Sequence, residues 1–119
     1  MAKLVVLITA RDDVAQHVGE SWRNSGAPGV TIIEGHGLQR ISELSKTGEI
    51  LAGMMSLADI LRSNAPSSFI LVALLDNDQY IDAMLRNTQE ILGDLHAPQN
   101  GIVFVIDVEQ AVGIHYHNN

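Results

Sequence analysis

The residues best suited to chemistry fall in three short stretches. Gly35-His36-Gly37-Leu38-Gln39-Arg40 sets two glycines, an imidazole, an amide and a guanidinium side by side. Glycine lets a ligand approach the main chain closely, with Gln39 as a polar contact and Arg40 as a cation. The plainer reading is a strand exit in which glycine supplies unusual backbone angles. Asn100-Gly101 ends a loop of turn-forming residues that begins at His96. His115-Tyr116-His117 places two imidazoles at strand spacing, on one face. Two imidazoles are half of a zinc site, and the sequence has no cysteine to complete it. His36 or His96 from elsewhere, or a carboxylate such as Asp107 or Glu109, would have to join. The metal candidates are therefore His36, His115 and His117, against a plainer reading as polar residues on an edge strand.

Other chemistry has less to stand on. There is no nucleophile elbow, no phosphate-loop lysine and no His-Glu zinc-protease spacing. Ser42, Ser67 and Ser68 have no evident histidine partner. His17 sits on a helix flank, and Asp12-Asp13 reads as acids favoured at a helix N-terminus. Trp22 reads as an anchor in a core or an interface. The expectation is a protein that is not an enzyme.

The elements that must position these stretches follow from hydrophobic period and punctuation. Lys3 to Ala10 reads as a buried strand. Asp12 is the expected N-cap of a helix whose stripe is Val14, Val18 and Trp22, closed by Ser25-Gly26 and Pro28-Gly29. Val30 to Glu34 reads as a second strand. In the segment 38–68, a short helical turn is expected around Ile41 to Leu44, with a break at Lys46-Thr47-Gly48. A helical stripe then runs through Ile50, Leu51, Met54, Leu57, Ala58 and Leu61 to Asn64-Ala65-Pro66. That stripe is too apolar to stay in water, so it packs on its own domain, a neighbouring subunit or a partner. Phe69 to Leu75 reads as a third strand. Asp76 or Asn77 is the expected cap of a helix with inner face Ile81, Met84, Leu85, Thr88 and Leu92. Ile102 to Val108 reads as a fourth strand, and Gly113 to His117 as a short fifth.

With segment 38–68 set aside, the order is the split β-α-β pattern of a ferredoxin-like sandwich, an α+β fold with helices on one face of an antiparallel sheet. Leu4 to Ile8 and Phe69 to Leu75 are apolar at every position, which predicts a sheet apolar on both faces. The second face must then be covered, and oligomerisation is the expected cover, with the helix of segment 38–68 contributing in part.

Composition bounds the rest. The 119 residues suit one domain, taken as 1–119. Fourteen acidic and seven basic side chains give a formal charge of -7, with no basic patch for a nucleic-acid backbone. The apolar runs are far shorter than the ~20 residues of a membrane span. The five apolar residues after Met-Ala-Lys are too few for a secretory signal, so a cytoplasmic location is expected.

Two stretches resemble a known family. Gly29-Val30-Thr31-Ile32-Ile33-Glu34, followed by Gly35-His36-Gly37, resembles the second strand and loop of the P-II nitrogen-regulatory signal proteins. Asn100-Gly101-Ile102-Val103-Phe104-Val105-Ile106-Asp107-Val108-Glu109 resembles their C-terminal signature. The resemblance implies a homotrimer of ferredoxin-like subunits whose sheets line a central barrel. It implies adenine nucleotide bound between subunits, and a long loop after the second strand that docks on target proteins. It places a ligand near Thr31, Gly35, Gly37, Gln39, Arg40, Asn100 and Gly101. The departures are chemical. Ile102 stands where the family has a phosphate-binding lysine, and Gly113 and His115 stand where it has two arginines. A triphosphate needs cations to offset its desolvation, so weak or absent ATP binding is expected. The mobile loop is expected to be replaced by the helical segment 38–68. A metal-responsive trimer of the same fold and a ligand-free interaction module are the alternatives.

Overall fold

The computed structural model of the chain describes residues 1–46, 58, 61–62, 65–97 and 100–115. Four strands form one antiparallel sheet: β1 (Ala2–Thr9), β2 (Thr31–Gly35), β3 (Ser68–Leu75) and β4 (Ile102–Val108). The order across the sheet is β2-β3-β1-β4. Helices α1 (Ala15–Ser25) and α3 (Ile81–Leu92) pack on one face, and α2 (Leu38–Lys46) follows β2. This is the ferredoxin-like sandwich that the order of apolar segments predicts.

The register fixes which side chains share a face. Val5 faces Ala73 and Leu7 faces Leu71 across the β1–β3 ladder, with Thr9 opposite Phe69. This row lies under the helices. Val5, Leu7 and Leu71 are fully buried there with Val18 and Trp22 of α1 and Met84 of α3. One polar pair sits inside that core. Trp22 Nε1 donates to Thr88 Oγ1 at 2.7 Å, and the same hydroxyl donates to the Met84 carbonyl at 2.7 Å. Every polar atom of the pair is satisfied, as burial requires. Trp22 is thus a core anchor between α1 and α3.

The alternate row faces the other way. Leu4, Val6 and Ile8 of β1 align with Leu74, Val72 and Ile70 of β3. They also align with Ile106, Phe104 and Ile102 of β4. Ile33 of β2 joins them through Ile70. Ile8, Ile33, Ile102, Phe104 and Ile106 are all exposed. The sheet is apolar on both faces, as expected, and this one is largely uncovered among the described residues.

Helix ends depart from expectation. Asp12 does not cap α1. The N-cap is Val14, whose side chain has no polar atom to make a cap bond, and the neighbouring Asp13 carboxylate is engaged by Arg11. Neither Asp76 nor Asn77 caps α3, whose N-cap is Tyr80. Asn77 Oδ1 accepts the Gln79 N–H at 2.8 Å, forming a local Asx turn in place of a cap. The C-terminus of α1 does follow its signal. Gly26 at φ 125° lets its own N–H reach the Arg23 carbonyl and that of Ala27 reach Trp22, a Schellman closure. A side chain there would also strike the Tyr80 ring, 2.7 Å away.

The expected turn at Ile41 to Leu44 is a full nine-residue helix, α2. Its sequence, LQRISELSK, holds mostly strong helix formers, and the Ile41 N–H closes the first turn on the Gly37 carbonyl. The stripe Ile50, Leu51, Met54 and Leu57 lies outside the described residues, as do Thr47-Gly48; Ala58 and Leu61 are helical. Gly113 to His115 joins no strand pairing, so the described part of the expected fifth strand is not a strand. Gly113 has φ 98°, outside the extended range a strand requires. His117 lies outside the described residues.

Candidate functional site

Antiparallel pairing brings several of the singled-out residues to one end of the sheet. Gly35 ends β2 opposite Ser68, Thr9 ends β1 opposite Phe69, and Ile8 pairs with Ile102 at the start of β4. The Gly35–Gly37 exit and the Asn100–Gly101 turn are therefore at the same sheet end. They stand at its opposite edges, three strand spacings or about 14 Å apart.

At the β2 edge the exit is tied to the segment before β3. The Ser67 N–H donates to the Gly35 carbonyl at 3.0 Å, and the Gly37 N–H donates to Ser67 Oγ at 2.9 Å. Gly35 and Gly37 do not have positive φ. A Cβ on either would find nothing nearer than 3.9 and 3.7 Å respectively. Local geometry does not demand glycine at these positions. Gln39 and Arg40 lie in the first turn of α2 and are exposed.

At the β4 edge the turn is a tight polar knot. Gly101 has φ 127°, and a side chain there would meet the Ile8 carbonyl at 2.5 Å, so only glycine fits. Thr9 Oγ1 donates to the Asn100 carbonyl at 2.8 Å and accepts the Arg11 N–H at 3.0 Å. The Asn100 side-chain amide donates to the Asp94 carbonyl at 2.8 Å. Arg11 Nη1 donates to Asn100 Oδ1 at 3.1 Å. Arg11 Nε and Nη2 also clasp Asp13, at 2.9 and 3.0 Å. The side-chain bonds from Arg11 hold the Asp13 carboxyl below the usual carboxylate range, and the Arg11 pKa is raised in return. Sequence reasoning gives Thr9 and Arg11 no role, and it reads Asp13 only as a helix N-terminal acid. Their signal is weak, because Arg11 meets Asn100 across 89 positions of sequence.

Other candidates lie elsewhere. Thr31 aligns with Val72 on the open face. It lines a cavity of about 410 Å³ with Leu4, Val72, Leu74, Ile114 and His115. The C-terminal stretch thus comes back over the far end of the open face. His36 and His115 are at opposite ends of the sheet and do not meet within one chain. Asp107, a possible completing carboxylate, is ion-paired with Lys3 across β1 and β4. Among the described residues, no three His, Asp or Glu side chains converge. No described helix is long and apolar enough to cross a membrane.

No protein-family profile and no curated protein matches the chain. Solved structures do. The chain is similar to GlnK of B. subtilis, a P-II protein solved as its ATP complex, with a TM-score of 0.56 at 13% identity over 90% of this chain and 81% of that one. It is similar to the divalent cation tolerance protein CutA1 of Thermus thermophilus, with a TM-score of 0.57 at 9% identity over 94% of this chain and 88% of that one. At such identities a match speaks for architecture alone, and the architecture shared is the ferredoxin-like sandwich.

Proposed function

We propose that the chain is a non-enzymatic, P-II-like regulatory protein. It forms a homotrimer, binds a small ligand at clefts between subunits, and through that ligand modulates a partner protein. The observation that carries this reading is the open face of the sheet. Ile33, Ile102 and Ile106 there are 46, 57 and 45% exposed. Isolated exposed apolar residues need no cover, but a contiguous apolar face marks an interaction surface.

The two edge strands favour a closed ring. β2 and β4 are different edges of the sheet, and a head-to-tail contact of one edge with the other closes into a ring when the rotation allows. Such a ring brings the Gly35–Gly37 exit, Gln39 and Arg40 of one protomer toward the Asn100–Gly101 turn of the next. The gap of about 14 Å within one chain would become a cleft between chains. Because α2 starts directly after Gly37, a ligand at that exit touches the helix it would displace. The shift requires that ligand to bind one arrangement more tightly than the other.

Light scattering at micromolar concentration tests the assembly. The expected mass is three chains, and a clean monomer overturns the reading. A thermal-shift screen of nucleotides, oxo-acids and metals tests the ligand, since whatever binds only the native state raises the melting temperature. A trimer that responds to none of them is a structural interaction module. A trimer that responds only to zinc or copper is metal-responsive.

A further inference from the structure

Arg11 stands just beyond β1, where the Asn100–Gly101 turn meets it. A guanidinium carries five N–H donors. Asp13 takes two of them, from Nε and Nη2, and Asn100 Oδ1 takes one from Nη1. One N–H on each terminal nitrogen is left without an acceptor among the described residues. The side chain is 34% exposed, so those donors are reachable from solvent. The group is also held still. Asp13 grips one side, and Asn100 is itself fixed by Thr9 through its carbonyl and by Asp94 through its amide. A guanidinium clamped in this way loses little further freedom when it binds.

We infer that Arg11 is the ligand-binding cation at this end of the sheet, and that it holds one compact oxyanion group, a carboxylate or a phosphate monoester, in preference to a polyphosphate. The inference rests on the reading that the strand-end cleft takes a small ligand, and it names the residue and the ligand class. Asp13 has two effects. It orients the guanidinium, and it offsets the charge that the guanidinium offers. One compact oxyanion meets the two remaining donors, and Arg11 balances its charge at least in part as the pair loosens. A polyphosphate brings several charges to a turn where the next residue is Ile102, not a cation. A carboxylate and a phosphate monoester share the required chemistry.

The test is an NMR titration of the full-length chain at constant ionic strength. Sodium acetate, inorganic phosphate and ATP form separate arms. Saturable movement of the Arg11 Nε–H and Gly101 amide signals is expected with acetate, phosphate or both, and the stronger arm identifies the group. Arg11→Gln weakens that binding by about tenfold or more, as loss of a charge-assisted fork should. Arg11→Lys does the same, because it keeps the charge and loses the fork. Asp13→Asn strengthens it several-fold by removing the competing carboxylate. The inference falls if neither acetate nor phosphate saturates, if Arg11→Gln titrates like the wild type, or if ATP binds the wild type more tightly than both. Should Arg11→Gln lose its circular dichroism signal, Arg11→Lys decides. Light scattering on the same samples keeps the two readings apart. A trimer blind to both oxyanions overturns this inference and leaves the trimer standing, whereas a monomer overturns the assembly whatever Arg11 binds.

Discussion

The face of the sheet under α1 and α3 and the face opposite carry the same kinds of side chain and end in different states. Leu7 and Ile8 are neighbours in β1. Leu7 is fully buried against the helices, and Ile8 is 38% exposed on the far side. The difference comes from connection, not composition. Both helices cross on one side because a split β-α-β chain returns each helix to the same face. The covered face is therefore completed by the chain itself, down to the hydrogen bond between Trp22 and Thr88. The open face is equally apolar but is not completed by the described residues. One face thus stores folding energy, and the other offers association energy.

Four measurements would break or sharpen that contrast. The largest effect is expected from Leu7→Ala, which should cost about 2–5 kcal/mol in urea unfolding because it empties a packed site. Its neighbour Ile8→Ala should cost about 1 kcal/mol or less in chain folding and act mainly on self-association. Equal costs for the two would erase the distinction between the faces. Next, Thr88→Val removes the acceptor of the Trp22 indole N–H, and about 1–3 kcal/mol of stability should go with it. A neutral result by thermal or urea unfolding would mean that this polar pair is not part of what completes the covered face.

Third, Ile106→Lys on the open face should leave the far-UV circular dichroism of the chain intact and reduce the light-scattering mass to one chain. A trimer that survives this substitution would move the interface off this face. The smallest effect belongs to the strand end. Asp13 has its pKa lowered in the fold by Arg11, so the pair stabilises the native state at neutral pH. That contribution is lost as pH falls through the folded-state pKa of Asp13. Carboxyl NMR should find the Asp13 midpoint below the usual carboxylate range, and Arg11→Gln should raise it. Because the pair is solvent-exposed, the stability change should be slight.

Much of the fold was legible because it depends on local periodicity. The runs at Lys3 to Ala10, Phe69 to Leu75 and Ile102 to Val108 become strands β1, β3 and β4. The stripes through Val18 and Trp22, and through Met84 and Thr88, become the inner faces of α1 and α3. Capping was less legible. Asp12, Asp76 and Asn77 are all suitable cap residues, but each start has competing local contacts, Asp13 with Arg11 and Asn77 with the Gln79 N–H. The full extent of α2 was less legible, since only Leu38, Ile41 and Leu44 repeat at helical spacing within its nine residues. At the candidate site, Asn100, Gly101, Gly35 and Gly37 were marked by their residue types. Arg11 was not, because a lone arginine after a strand has no pattern of its own.

The sequence alone determined the alternation of strands and helices, the apolarity of both sheet faces and the absence of lysine or arginine at positions 102, 113 and 115. These are properties of residue type and spacing, and no long-range contact can alter them. The tertiary structure decided that β1 lies between β3 and β4, and so that Thr9 and Arg11 meet Asn100. It also decided that His36 and His115 stand apart. Contacts between residues distant in sequence depend on strand order and register, which are set by the packing of the whole sheet and not by any one segment.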